Sequence, residues 1–227
     1  MGCIFQGISS RMEVRRLNGV YLVIDPKQDW PQLLEKLHAA LKGGISIVQI
    51  WDHWQENVDP VQKLGFATQV KELAGRFSVP VLMHDDWHFA QQADLDGVHF
   101  DVAPDNMEEV QKTLGGKYIG LTVGNDLERI KWADANHLAY ISFCAVFPSP
   151  SVDSCEIVDQ SVIKETRKVT DMPVFLSGGI TKANLPSLSA LSFDGIAVIS
   201  GILSADNPEV AVREYLSELK KFNTVSI

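Results

Sequence analysis

Cysteine is scarce in this chain: Cys3, Cys144 and Cys155 are the three in 227 residues. They are too few and too scattered for a disulfide framework or a CxxC metal site, which points to a reducing compartment and a cytoplasmic protein. Positive charge is short as well. Twenty Lys and Arg face 29 Asp and Glu, giving a formal charge of −9. Such a surface repels phosphodiester backbones and acidic lipid, so neither nucleic acid nor membrane is an expected partner. A small phosphorylated ligand needs only a local cluster of donors. With 45% hydrophobic and 22% charged residues, the composition indicates neither disorder nor a membrane protein. Met1 to Leu17 places Arg11, Arg15 and Arg16 after a brief apolar patch, without the order of a secretory signal. Gln6 stands where a myristoylation motif wants Ser or Thr. Residues 1–17 are expected to be an N-terminal extension and 18–227 a single domain.

What is present is a regular alternation of two periods. Val20 to Ile24 is a buried-strand run stopped by Asp25-Pro26, and the stretch from Trp30 sets Leu33, Leu34, Leu37 and Leu41 at helical spacing. Gly43-Gly44 ends that helix; Ile45 to Trp51 is a second strand, and Val61 to Phe77 a second helix. The pattern continues with strands at Val79–Met83, Gly97–Phe100, Tyr118–Val123, Leu138–Val146, Val174–Ile180 and Gly195–Gly201. Helices are expected at Ala90–Ala93, Met107–Leu114, Leu127–Ala135, Ile163–Val169, Ala183–Leu191 and Val210–Phe222. Eight strands alternating with eight helices, with no linker between them, predict a single-domain (β/α)8 TIM barrel. A doubly wound open sheet is the structural competitor.

Active sites of such barrels lie at the C-terminal ends of the strands, and here those ends differ in chemistry. Strands one to four finish at Asp25, Asp52-His53, His84-Asp85-Asp86 and His99 beside Asp101. They suggest a metal or general acid/base rim. Strands seven and eight finish in Ser177-Gly178-Gly179 and Ser200-Gly201, small residues that leave backbone N–H groups open to an anion, as in the phosphate sites of these barrels. Plainer readings stand beside these. Asp25, Asp86 and Asp101 also suit helix caps, and a lone inward His99 suits a satisfied core histidine. Trp51, Trp54 and Trp87 either pack loops or wall a pocket for a flat heteroaromatic ring.

From Gly19 to Phe222 the chain resembles the thiamine phosphate synthase and thiazole tautomerase superfamily. The resemblance is carried by GISIVQ (44–49), HDDWHFAQQADLDGVH (84–99), residues 119–123, AVFPS (145–149), SGGI (177–180) and DGIAVISG (194–201). It implies thiamine biosynthesis: coupling of a hydroxymethylpyrimidine diphosphate to a thiazole phosphate through a dissociative step, with Mg2+ and basic side chains on the departing diphosphate. It implies a thiazole-phosphate cradle at Gly179, with Gly178 beside it, and at Ile199 and Ser200. Gln49 matches a pyrimidine-contacting glutamine, Asp85 a magnesium carboxylate, Thr122 a small hydroxyl position, and Ser149 and Ser151 hydroxyls of the loop after strand six.

The departures fall where the diphosphate would lie. The family's Arg and Lys after the strand-two glutamine are Trp51 and His53 here, and its asparagine before the magnesium carboxylate is His84. Its second carboxylate falls at Pro104 beside Asp105, and its strand-six loop lysine at Val152. Loss of three cations from a desolvated diphosphate costs several kcal/mol together. Lys27, Lys182 and a protonated His53 are the candidate substitutes, Asp85 and Asp105 the candidate metal ligands, and His53 and His84 the candidate acid/base residues. The tautomerase histidine after strand five is Gly124. Two other readings therefore stay open: a silent thiazole-phosphate-binding paralogue and a tautomerase-like isomerase. Barrels of this kind are often dimers, so a homodimer is kept as an expectation.

Overall fold

The computed structural model describes residues 17–148 and 156–223. Its strands are β1 (Gly19–Ile24), β2 (Ile47–Ile50), β3 (Val81–His84), β4 (Gly97–Phe100), β5 (Tyr118–Thr122), β6 (Tyr140–Phe143), β7 (Val174–Ser177) and β8 (Gly195–Val198). All pair in parallel in sequence order, and β8 returns to β1 with Gly19 opposite Gly195 and Leu22 opposite Val198. That last pairing closes the barrel and removes the open-sheet alternative.

The helices are α1 (Trp30–Gly43), α2 (Pro60–Gly75), α3 (Trp87–Gln92), α4 (Met107–Leu114), α5 (Leu127–Ala135), α6 (Gln160–Thr166), α7 (Ser200–Leu203) and α8 (Pro208–Asn223). Their starts follow from capping chemistry. Asp29 accepts from Gln32 N at the head of α1, and Asp59 with Gln62 forms a reciprocal capping box on α2. Among the described residues no helix is long and apolar enough to cross a membrane.

The expected helix over 183–191 is instead a single 3₁₀ turn at Leu185–Leu188. Pro186 supplies no N–H to a continuing helix, and the Ser187 hydroxyl donates to the Asn184 carbonyl at 2.7 Å, so local side-chain bonding replaces the next turn. Helical order resumes after β8 with α7, which begins within the expected last strand. Strand seven stops at Ser177 because Gly178 (φ 84°) and Gly179 (φ 63°) turn left-handed.

The core has two parts, as strand alternation requires. Outward-facing Val20, Leu22, Val48, Ile50, Val98 and Ile141 pack beneath the helices in one large cluster. Inward-facing Tyr21, Ile47, Leu82, Tyr140 and Phe175, together with Leu17 from the residues before β1, fill the lumen. Small residues make room for the large ones. A Cβ on Gly120 would lie 2.1 Å from the Tyr140 ring, so that glycine is what admits a tyrosine to the next strand.

Candidate active site

The C-terminal rim carries two unlike halves. At the end of β3 the chain leaves His84 through Asp85, whose φ of 56° is one that Asp tolerates better than most residues. The turn is held twice: Asp85 N donates to the His99 carbonyl at 2.9 Å, and Asp85 Oδ1 accepts from Asp101 N at 2.9 Å. Asp86 then caps α3, accepting from Phe89 N at 2.8 Å. Of the three aspartates with a capping alternative, Asp86 alone caps a helix. Asp25 accepts from Lys27 N at 2.9 Å, and Asp101 turns to a histidine.

That histidine is His84. Its Nε2 lies 3.0 Å from Asp101 Oδ2 and 3.5 Å from Asp85 Oδ2. Burial of the ring works against its charged form. The Asp101 hydrogen bond and the charges of Asp101, Asp85 and Asp52 outweigh burial and hold His84 above the ordinary histidine range. The bond to His84 keeps Asp101 below the ordinary carboxylate range, against its own partial burial. Donor atoms of His84, Asp85 and Asp101 all fall within 4.8 Å of one another, the kind of grouping that can hold a metal ion. Asp105, expected as the second metal carboxylate, is an exposed turn residue outside that group.

The donor chemistry can be tested against Mg2+. Two carboxylates from adjacent strands offer the hard oxygens that this ion takes, and Asp85 and Asp101 fit it. The imidazole is a softer donor. His84 Nδ1 is buried with no hydrogen-bond partner, which suits a lone pair there and the proton on Nε2, shared with Asp101. His84 therefore serves the carboxylates as a hydrogen-bond donor.

His53 lies on the loop after β2, with Nδ1 3.1 Å from Asp25 Oδ1 and its ring 4.6 Å from that of Trp51. The structure thus separates the two candidate acid/base histidines. His53 and Asp25 form one pair; His84, Asp85 and Asp101 form another group. Trp54 packs on Phe66 and Phe89, and Trp87 stacks on His88 at 3.6 Å, so both serve loop packing.

Below the rim a line of polar side chains crosses the lumen. Thr122 Oγ1 donates to Asp101 Oδ1 at 3.2 Å and lies 3.0 Å from His99 Nε2. His99 Nδ1 is 2.9 Å from the Tyr140 hydroxyl, which is 3.0 Å from the Tyr21 hydroxyl; Tyr21 in turn meets Gln49 Oε1. His99 is the satisfied core residue that its inward position predicts. Burial lowers it to about 4, so it is neutral near pH 7. Burial likewise raises both tyrosines. Gln49 and Thr122, singled out by the sequence, are thus joined by Tyr21, His99 and Tyr140. Neither tyrosine was singled out, although inward polar residues at one level of successive strands are the signal that would have found them.

The other half of the rim is built from glycine. A Cβ on Gly178 would lie 2.4 Å from Ala145 Cβ, and one on Gly179 would lie 2.5 Å from the Pro148 carbonyl oxygen. The β6 loop packs directly on this turn, with Val146 N donating to Ser177 O at 2.9 Å and Phe147 N to Gly178 O at 3.1 Å. Ile199 and Ser200 follow the neighbouring strand, where Ser177 stands opposite Ala197. Lys182 is paired with Glu214. Ser149, Ser151 and Val152 lie outside the described residues.

A closed parallel barrel with carboxylates and a histidine on one arc of its C-terminal rim and close-packed glycines on the opposite arc defines an enzyme-like (β/α)8 barrel. The chain belongs to the thiamine monophosphate synthase family, whose signature matches residues 20–202, a span that includes all eight strands apart from the first residue of β1. It is 32% identical over 206 residues to the thiamine-phosphate synthase of Methanobrevibacter smithii, covering 90% of this chain and 97% of that one. It is 31% identical to the thiamine-phosphate synthase of Staphylococcus carnosus, over 85% of this chain and 93% of the relative. The thiamine phosphate pyrophosphorylase of Pyrococcus furiosus has the same fold, with a TM-score of 0.76 at 21% identity, over 90% of this chain and 96% of that one.

Proposed function

We propose that this chain is a thiamine-phosphate synthase. It joins hydroxymethylpyrimidine diphosphate to thiazole phosphate and releases diphosphate. The observation that carries this reading is the family match across residues 20–202, which takes in both arcs of the rim. In a dissociative coupling the bond from the pyrimidine methylene to the diphosphate oxygen breaks first. The thiazole nitrogen then donates its electron pair to the methylene carbon, and no proton has to be moved. The protein's task is to hold two rings in line and to stabilise a leaving anion.

The residues divide that task by position. Gln49, fixed from below by Tyr21, contacts the pyrimidine; Gly178, Gly179, Ile199 and Ser200 form the backbone-lined cradle for the thiazole phosphate. Asp85 and Asp101 would hold Mg2+, which when bound neutralises diphosphate oxygens. His84, whose charged form the carboxylates favour, and His53 are the side chains beside the departing diphosphate, and His53 alone of the two stands where the family has a basic side chain. An imidazolium is a weaker diphosphate partner than a bidentate guanidinium, so diphosphate affinity is expected to be low for the family. Product formation by the purified protein with both substrates and Mg2+ tests the proposal.

A second reading keeps the cradle and drops the chemistry. It is favoured by one contact: Lys182, a candidate replacement for the missing cations, pairs with Glu214. Calorimetric binding of thiazole phosphate without turnover would select it.

A further inference from the structure

The contacts that link Asp101 to Gln49 contain more information than their distances, because each hydroxyl has one proton to give. Asp101 is a carboxylate whether His84 or a metal ion lies on its other oxygen, so it only accepts. Thr122 therefore spends its proton on Asp101 Oδ1. At 3.0 Å from that same oxygen Oγ1, His99 Nε2 must then be the donor. His99 is buried in the lumen and its two ring nitrogens meet only the Thr122 and Tyr140 hydroxyls, with no carboxylate in contact to hold a charge, so it is a neutral ring with a single N–H, which leaves Nδ1 bare. The Tyr140 hydroxyl, 2.9 Å away, must donate to it. Tyr140 has now used its proton, so the Tyr21 hydroxyl at 3.0 Å donates to Tyr140. Tyr21 then has nothing left to give to Gln49, and its oxygen needs a donor.

The structure turns Gln49 Oε1 toward Tyr21. With the proton order above, that would set two acceptors against each other in a buried lumen. Amide oxygen and nitrogen have the same shape, and hydrogen bonding alone distinguishes them. A half-turn of the Gln49 amide satisfies every contact in the line. The reverse order, from Gln49 outward, leaves Thr122 oxygen against an ionised carboxylate and forfeits a charge-assisted bond, the strongest in the series.

We propose that every proton between Gln49 and Asp101 points toward Asp101, so that Thr122, His99, Tyr140 and Tyr21 act as positioning residues that seat the Gln49 amide nitrogen on Tyr21 and leave its carbonyl oxygen to accept from the substrate ring. The orientation of a substrate-reading side chain in the lumen is thereby set by a carboxylate at the rim. The ligand group that matches the exposed carbonyl is an N–H donor such as an exocyclic ring amine. The part played by Gln49 in ligand recognition rests on the synthase reading; the proton order does not.

Nuclear magnetic resonance of the substrate-free protein with 15N-labelled imidazoles, near pH 7, tests it directly. The expected His99 signal is the neutral Nε2–H form, favoured roughly tenfold over the Nδ1–H form. Thr122→Val cuts the link to Asp101, and the preference should fall to about threefold or less, with Thr122→Ser restoring it. A predominant Nδ1–H form in the wild type, or a preference untouched by Thr122→Val, overturns the proposal. In turnover, Tyr21→Phe should raise KM for the pyrimidine substrate roughly threefold to tenfold with kcat nearly unchanged; a change in kcat alone contradicts it. The tautomer is read without substrate, so a protein that makes no product still reports whether the proton order is right.

Discussion

Replacing Tyr140 by Phe removes one oxygen from the centre of the lumen and leaves the ring in place. Tyr140 is fully buried, and its hydroxyl has two protein partners, His99 Nδ1 at 2.9 Å and the Tyr21 hydroxyl at 3.0 Å. The loss is therefore two buried hydrogen bonds, each worth about 1 kcal/mol net, plus the penalty for leaving His99 Nδ1 without a donor, about 1–3 kcal/mol. Against this stands the desolvation of a hydroxyl that no longer has to be buried. No side-chain volume beyond one oxygen is vacated, so the cavity contribution is small. The sum comes to about 2–3 kcal/mol of lost stability. For a chain of this length that corresponds to a fall of roughly 4–12 °C in Tm. Denaturant unfolding with an unchanged slope, set beside a thermal melt, measures it. Tyr215→Phe is the comparison: its hydroxyl donates to the Ile180 carbonyl at a long 3.4 Å and accepts from the Lys182 backbone N–H, with no buried ring nitrogen left bare, and the expected loss is about 1 kcal/mol. A Tyr140→Phe loss no larger than that of Tyr215→Phe would refute the idea that the lumen hydroxyls form a connected set in solution.

Other consequences follow from the rim. Asp101→Asn removes the partner that raises His84, so the His84 titration followed by proton resonance should move down in pH. A group raised on folding stabilises below its unfolded pKa and loses that contribution as pH rises through the folded one. The wild type should thus lose this contribution on the alkaline side of the ordinary histidine range, and Asp101→Asn should not; equal stability profiles would contradict the pairing. Gly179→Ala forces a side chain into left-handed backbone and against the Pro148 carbonyl at 2.5 Å. It should cost roughly 2–4 kcal/mol in chemical denaturation and weaken thiazole-phosphate binding in calorimetry. Asp85→Asn should reduce Mg2+ affinity at least about tenfold by titration calorimetry, with Asp105→Asn leaving it unchanged. Lys182→Ala should change stability by no more than about 0.5 kcal/mol, since its pair with Glu214 is half exposed.

The barrel was legible because its strands are short apolar runs punctuated by Gly, Pro and Asp, a local pattern that repeats eight times. The helix over 183–191 failed for an equally local reason: its apolar spacing was right, but Pro186 and the serine backbone bonds outweighed periodicity over so short a segment. Strand-end position identified His53, His84 and Asp85, and the family resemblance identified Gln49. Asp101 was seen as a rim residue, yet its partnership with His84 depends on register: His84 stands opposite His99, which brings the residues after each strand together. Tyr21 and Tyr140 are 119 positions apart and meet only because the barrel closes. Each looks like an ordinary core aromatic in its own segment. What no single segment displays is the line of donors that they form.

The central claim is that the synthase reaction survives although Trp51, His53 and Val152 stand where the family has basic side chains. Incubating the purified protein with hydroxymethylpyrimidine diphosphate, thiazole phosphate and Mg2+, and following thiamine phosphate and released diphosphate together, tests it most directly. Equal amounts of both products, lost on chelation of the metal and on Asp85→Asn, are the predicted result. Thiazole phosphate that binds with neither product formed would contradict the claim and leave a cradle without its chemistry.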